Sequence, residues 1–137
     1  MIAAAGCGGS GLSHSDFVTR ADAVCTAYTS QTKGALRPRT YTQIVKYVDR
    51  SLPIYEAALR KLEALKPPAR DAASVHAWLA ADRRVARAVR DLGDGARRRD
   101  FSSVTAAAAR AELAGDESRK AAAGLGMHVC ARLATGR

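Results

Sequence analysis

The chain has 137 residues, 47% of them hydrophobic, which is room for one modest core and leaves none for a second domain. Aromatic residues make up only 5% while alanine is abundant, a balance that favours closely packed helices and disfavours a β-sandwich. A formal net charge of +9, from 22 Lys plus Arg against 13 Asp plus Glu, favours anionic partners without choosing among them. No apolar run approaches the ~20 residues that a membrane-spanning helix needs.

Residues 1–12 are rich in Gly, Ala and Ser and are expected to form a flexible tether, with a helical domain following over 13–137. The tether holds Ala4-Ala5-Gly6-Cys7-Gly8-Gly9-Ser10-Gly11. Small residues before a cysteine and a Gly/Ser spacer after it look like a bacterial lipobox, in which the thiol is acylated and becomes the mature N-terminus. Ala4 stands where a leucine is common, and the basic and long apolar regions of a signal peptide do not precede Cys7. The expectation is therefore a start assigned late or a trimmed leader, set against the plainer reading of Cys7 as an incidental thiol.

Ser13 with Asp16 three residues on reads as a helix N-cap. Phe17, Ala21, Val24, Cys25 and Tyr28 then share one helical face, until Gly34 and Pro38 interrupt. Thr40 and Gln43 fit a capping box for a second helix, whose apolar stripe runs from Tyr41 through Val48, Leu52, Tyr55 and Leu59 to Leu65. Pro53 lies inside that stripe, which predicts one helix kinked near 49–53 rather than two. Pro67-Pro68 ends it, with Pro68 suited to the first turn of the next.

Val75, Leu79, Ala86 and Val89, with Trp78, Val85 and Leu92 beside them, mark a third helix. Gly93 and Gly95 are possible stops, but Ala96 keeps the period, so the helix is extended to about residue 98. Asp100, Ser102 or Ser103 can cap a fourth helix with a small face of Val104, Ala107, Ala108, Ala111 and Ala122, ended by Gly124 and Gly126. The tail from Met127 to Leu133 returns Cys130 toward the first helix. Short connections between four amphipathic helices imply an all-α, up-down-up-down four-helix bundle.

With Cys7 set aside, Cys25 and Cys130 remain as a pair. Export would place them where a disulfide persists, and closing a loop of about 105 residues would add up to ~4–5 kcal/mol in the chain-entropy model. Inside a cell the same two residues would be buried, reduced cysteines.

Catalytic and metal-binding patterns are lacking. No Glu-x-x-His pair, Gly-x-Ser-x-Gly elbow or phosphate-cradling loop occurs, and His14, His76 and His128 are scattered. The expectation is a protein that is not an enzyme and carries no cofactor or metal. Asp82 interrupts the apolar stripe of the third helix. It reads as a carboxylate held by Tyr28 or Tyr55 at the core edge, or else as a functional group with a raised pKa. Trp78 reads as packing, and would mark a binding surface only if half-exposed. Arg83, Arg87 and Arg90, with Arg84 and Arg97 to Arg99, form a basic stretch without interleaved aromatics, so a solvated face is favoured over a nucleic-acid site.

Ala-Ala-Gly-Cys-Gly-Gly, the opening Phe17 to Cys25 (FVTRADAVC), Leu65-Lys66-Pro67-Pro68 and the closing Gly124-Leu125-Gly126 to Cys130 together resemble small lipoproteins of high-GC Gram-positive bacteria. The resemblance spans most of the chain. It implies a helical protein lipid-anchored outside the membrane, with the two later cysteines paired, and it brings no catalytic residues. The function expected is a binding or structural module of the cell envelope, engaging an envelope protein or an anionic wall component through Asp82, Trp78, Tyr55, Arg83, Arg87 or Arg90. The alternatives are a small-ligand carrier with a pocket near Pro53, Tyr55 and Trp78, and, more remotely, a basic nucleic-acid-binding protein.

Overall fold

In the computed structural model the described residues are 11–133, and they form four α-helices with two short 3-10 turns and no strand. The helices are α1 (His14–Thr32), α2 (Tyr41–Glu63), α3 (Ala72–Arg97) and α4 (Phe101–Gly124). Single 3-10 turns, Ala69–Asp71 and Cys130–Arg132, precede α3 and follow α4.

Local chemistry sets the helix ends. The Ser13 hydroxyl accepts the Asp16 amide, and Thr40 Oγ1 accepts that of Gln43. The return arm of this second cap goes to the Arg39 amide, which donates to Gln43 Oε1 at 2.8 Å, one residue before the position a capping box predicts. Asp100 caps α4 by accepting from the amide and the hydroxyl of Ser103, and these bonds hold its carboxyl below the usual range. Gly126, at φ 83°, supplies the left-handed residue that ends α4. Pro68 precedes the 3-10 turn instead of opening α3 directly. A single helix, α2, passes through Pro53.

The helices run antiparallel, α3 between α2 and α4. Arg83 Nε lies 2.7 Å from Glu63 Oε1, and the pairs Arg90–Glu56 and Arg97–Asp49 repeat that contact at seven-residue intervals on both helices. Arg84–Glu117 and Arg110–Asp91 form the same kind of ladder between α3 and α4. Oppositely charged heptads flanking an apolar seam fix register, as in coiled coils.

The main core lies toward one end of the bundle. Phe17, Ala21 and Cys25 of α1 meet Leu59 and Leu62 of α2, Val75, Trp78 and Leu79 of α3, and Ala122, Leu125 and Met127 around the end of α4. Tyr28 meets Tyr55 edge-on with ring centroids 5.6 Å apart. Because α1 stops one turn later at Thr32, it covers only the half of α2 beyond about residue 51. Segment 33–40 then rises beside the uncovered half to reach Tyr41.

In that upper half the helices approach through small residues. A Cβ on Gly93 would sit 2.9 Å from Val48 Cγ1 of α2, and one on Gly95 would sit 3.2 Å from the Val104 amide nitrogen of α4. The two glycines lie about 200° apart around α3, so each clears space for a different neighbour. They continue the helix to Arg97, in agreement with an end near residue 98. The close face of α4 is Ala107, Ala114, Gly115, Ser118 and Ala122, whereas Ala108, expected there, is exposed. Ala108 lies about 100° around the helix from Ala107, which carries it off the buried stripe.

Gly11 and Leu12, expected within the tether, are held. The Leu12 amide donates to the Lys66 carbonyl at 2.9 Å, and Leu12 packs against the core. Cys7 lies outside the described residues. The prediction from this packing is that Gly95→Ala destabilises the fold by about 1–3 kcal/mol. Its gain of about 1 kcal/mol in helix propensity is outweighed because the neighbour to be displaced is α4 backbone. Urea unfolding of the two proteins measures the difference, and a more stable variant would contradict the close approach.

Candidate functional site

Cys25 and Cys130 form a disulfide with their Cα atoms 5.4 Å apart, joining α1 to the final turn across 105 residues. Next to it, one turn before Cys25, Asp22 binds the same segment. Its Oδ2 accepts from the His128 amide at 2.9 Å, and its Oδ1 accepts from the amides of Val129 and Cys130, both at 3.0 Å. Three orphan donors of a non-helical turn are thereby satisfied by one carboxylate. At the neighbouring corner, His14 Nδ1 lies 2.6 Å from Asp71 Oδ2, tying the start of α1 to the start of α3.

Asp82 is only 7% exposed. Its Oδ1 accepts from the Tyr55 hydroxyl at 2.9 Å and from the Ser118 hydroxyl at 2.6 Å, so a single oxygen joins α2, α3 and α4. Burial raises the Asp82 pKa, and the two donated hydrogen bonds oppose that shift. Burial also pushes Tyr55 well above the usual phenol range, with the Asp82 carboxylate adding to it, and pushes Tyr28 up to about 12. With the Tyr55 and Ser118 hydroxyls both donating to Oδ1, α3 is pinned between its neighbours.

Of the residues singled out from sequence, the structure brings together Cys25 with Cys130, and Tyr55 with Asp82. Tyr55 is the partner foreseen for Asp82; Ser118 was missed, because a serine at one position of an alanine-rich helix carries no signal of its own. Trp78 is 1% exposed and packs in the core, so the half-exposure that would make it a binding marker is not met. Arg83 and Arg90 are bound to Glu63 and Glu56, and their charges are matched within the bundle. Arg87 is exposed and makes no ion pair among the described residues.

The space beside Tyr55 is a cavity of about 20 Å³ bounded by Val24, Tyr28, Leu59 and Leu133, enough for a water molecule and too small for an organic ligand. A wider open groove of about 330 Å³ lies where α3 turns into α4, with Asp91, Asp94, Arg98 and Arg110 around it. Among the described residues no group of three or more His, Cys, Asp or Glu side chains converges as metal ligands do, and no helix is long and apolar enough to cross a membrane. Comparison with protein-family models, with curated proteins and with solved structures finds no match to this chain.

Two outcomes follow from this geometry. Asp22→Ala strands three amides and lowers stability by about 2–3 kcal/mol, read by chemical denaturation of the oxidised protein. For Asp82 the folded pKa is raised, so the folded state holds its proton more tightly and stability falls as pH rises from the ordinary carboxyl range through the folded pKa. Asp82→Asn removes that slope and matches or exceeds the parent's stability at neutral pH. A variant that keeps the slope would assign it to another group.

Proposed function

We propose that this chain is an extracytoplasmic, lipid-anchored helical module of the cell envelope that binds a partner and performs no catalysis. The observation that carries the reading is the Cys25–Cys130 disulfide, since such a bond persists in an oxidising compartment and is rare inside mesophilic cells. It also leaves Cys7 as the odd cysteine, within the Ala-Ala-Gly-Cys-Gly-Gly setting that resembles a lipobox.

The position of Gly11 supports the same reading. A Cβ there would lie 2.5 Å from the Pro67 carbonyl oxygen, so the chain enters the bundle pressed against the α2–α3 junction. An anchor at Cys7 would hold the molecule by that end. Arg83 and Arg90 of the α3 ladder have carboxylate partners within the bundle, which favours the unpaired cations for engaging an anionic partner. The small volume beside Tyr55 gives the ligand-carrier alternative little support.

The test is fractionation of cells producing the parent and Cys7→Ser. The parent is expected with the membranes and the variant in the soluble fraction. An unchanged distribution would overturn the anchor.

A further inference from the structure

Three large apolar residues stand exposed among the described residues: Leu113, 63% exposed midway along α4, and two toward the end of the bundle opposite Gly11. Leu36, in the segment joining α1 to α2, is 87% exposed, and Phe101, the first residue of α4, is 73% exposed. Single exposed apolar residues are ordinary, but these two stand at one end of the molecule among a run of cations. Arg37 and Arg39 follow Leu36, and Arg97, Arg98 and Arg99 precede Phe101; all five are exposed.

The antiparallel ladders bring both groups toward the same end of the bundle. Arg97 pairs with Asp49, so the end of α3 lies beside the first turns of α2, and α4 begins four residues later. Segment 33–40 leads into that same end of α2. The cations here also differ from those of the α3 ladder: Arg37, Arg39, Arg98 and Arg99 make no ion pair among the described residues, though Arg98 lies near the capping Asp100.

We propose that this tip docks on an anionic phospholipid surface, with Arg37, Arg39, Arg98 and Arg99 among the headgroup phosphates and Phe101 and Leu36 entering the interface. Charge complementarity selects a polyanion, and the two prominent apolar side chains select a bilayer over a soluble polymer, because only the bilayer offers an apolar phase beneath its charges. Lys and Arg near such a surface each add about a factor of five to partitioning at physiological salt. The inference deepens the envelope-binding reading by naming its surface and partner, while its chemistry is independent of acylation. In an anchored molecule α3 spans about 39 Å between the two ends, so contact at the tip would lay the long axis along the membrane.

The experiment uses oxidised Cys7→Ser protein, which lacks any anchor, with vesicles of phosphatidylcholine alone or mixed with phosphatidylglycerol. Co-sedimentation with the mixed vesicles only, weakening as salt rises, is expected. Replacing Arg37, Arg39, Arg98 and Arg99 together by Gln should reduce partitioning at least tenfold, and Leu36→Ser with Phe101→Ser should reduce it severalfold with the salt dependence retained. A control of equal charge, replacing Arg60, Lys61, Arg87 and Lys120 by Gln, should stay within about threefold of the parent; circular dichroism confirms that each variant is helical. Equal losses in the two four-site variants would reduce the effect to net charge and overturn the tip. Binding to soluble polyphosphate without binding to mixed vesicles would overturn the lipid surface. Because Cys7 is absent throughout, failure here leaves the anchor to the fractionation result.

Discussion

The return of the last turn to the first helix is the contact on which the rest of this fold depends. Helix α1 is the least engaged of the four: it ends halfway along α2 and reaches α4 chiefly through the segment that follows it. That segment has little regular structure, so its backbone donors need partners from elsewhere. Asp22 supplies an acceptor for three of them, and Cys25, one turn on, makes the position permanent through Cys130. Without this clasp Phe17 and Ala21 would be held over Trp78 only by a few apolar contacts and by the ties of Leu12 and His14 at the start of α1, in a chain too small for a large core.

The remaining helices are held by a different device. Away from the main core, α2, α3 and α4 meet largely through small residues, Gly93, Gly95, Ala107, Ala114 and Gly115, which admit close backbone approach but offer little apolar area. Specificity comes from polar groups. The charge ladders on the outside define antiparallel register at heptad intervals, and Asp82 with Tyr55 and Ser118 defines it within. Exposed ion pairs contribute little stability each, so the ladders act mainly by penalising slipped pairings. Matching the α3 arginines internally also separates the cations that build the bundle from those left outward at the tip.

Much of this architecture is legible in the sequence because its determinants are local. Ser13, Thr40, Asp100 and Gly126 mark helix ends by chemistry confined to a turn, and three cysteines with one in a Gly-rich lead leave a natural pair. Tyr55 was within reach as the partner of Asp82 because a carboxylate on an apolar stripe demands a donor. What escaped was non-local or ambiguous. Asp22 resembles any surface aspartate, since its three partners lie more than 100 residues away. Gly93 and Gly95 resemble helix stops until the neighbours that need their space are known. The arginines of α3 do lie on a solvated face, but their pairing escaped because Asp49, Glu56 and Glu63 belong to another helix, although the shared seven-residue spacing was a signal open to inspection.

Location and fold meet in the oxidation state of the cysteines, since the same bond that clasps α1 to the final turn supports a place outside the cytoplasm. The most direct measurement is alkylation of protein taken from the cells that make it, under acid quench and before reduction, followed by peptide mass spectrometry. The account predicts that Cys25 and Cys130 are recovered as one disulfide-linked peptide pair and become alkylatable only after reduction. Recovery of both as free, fully alkylated thiols would contradict it.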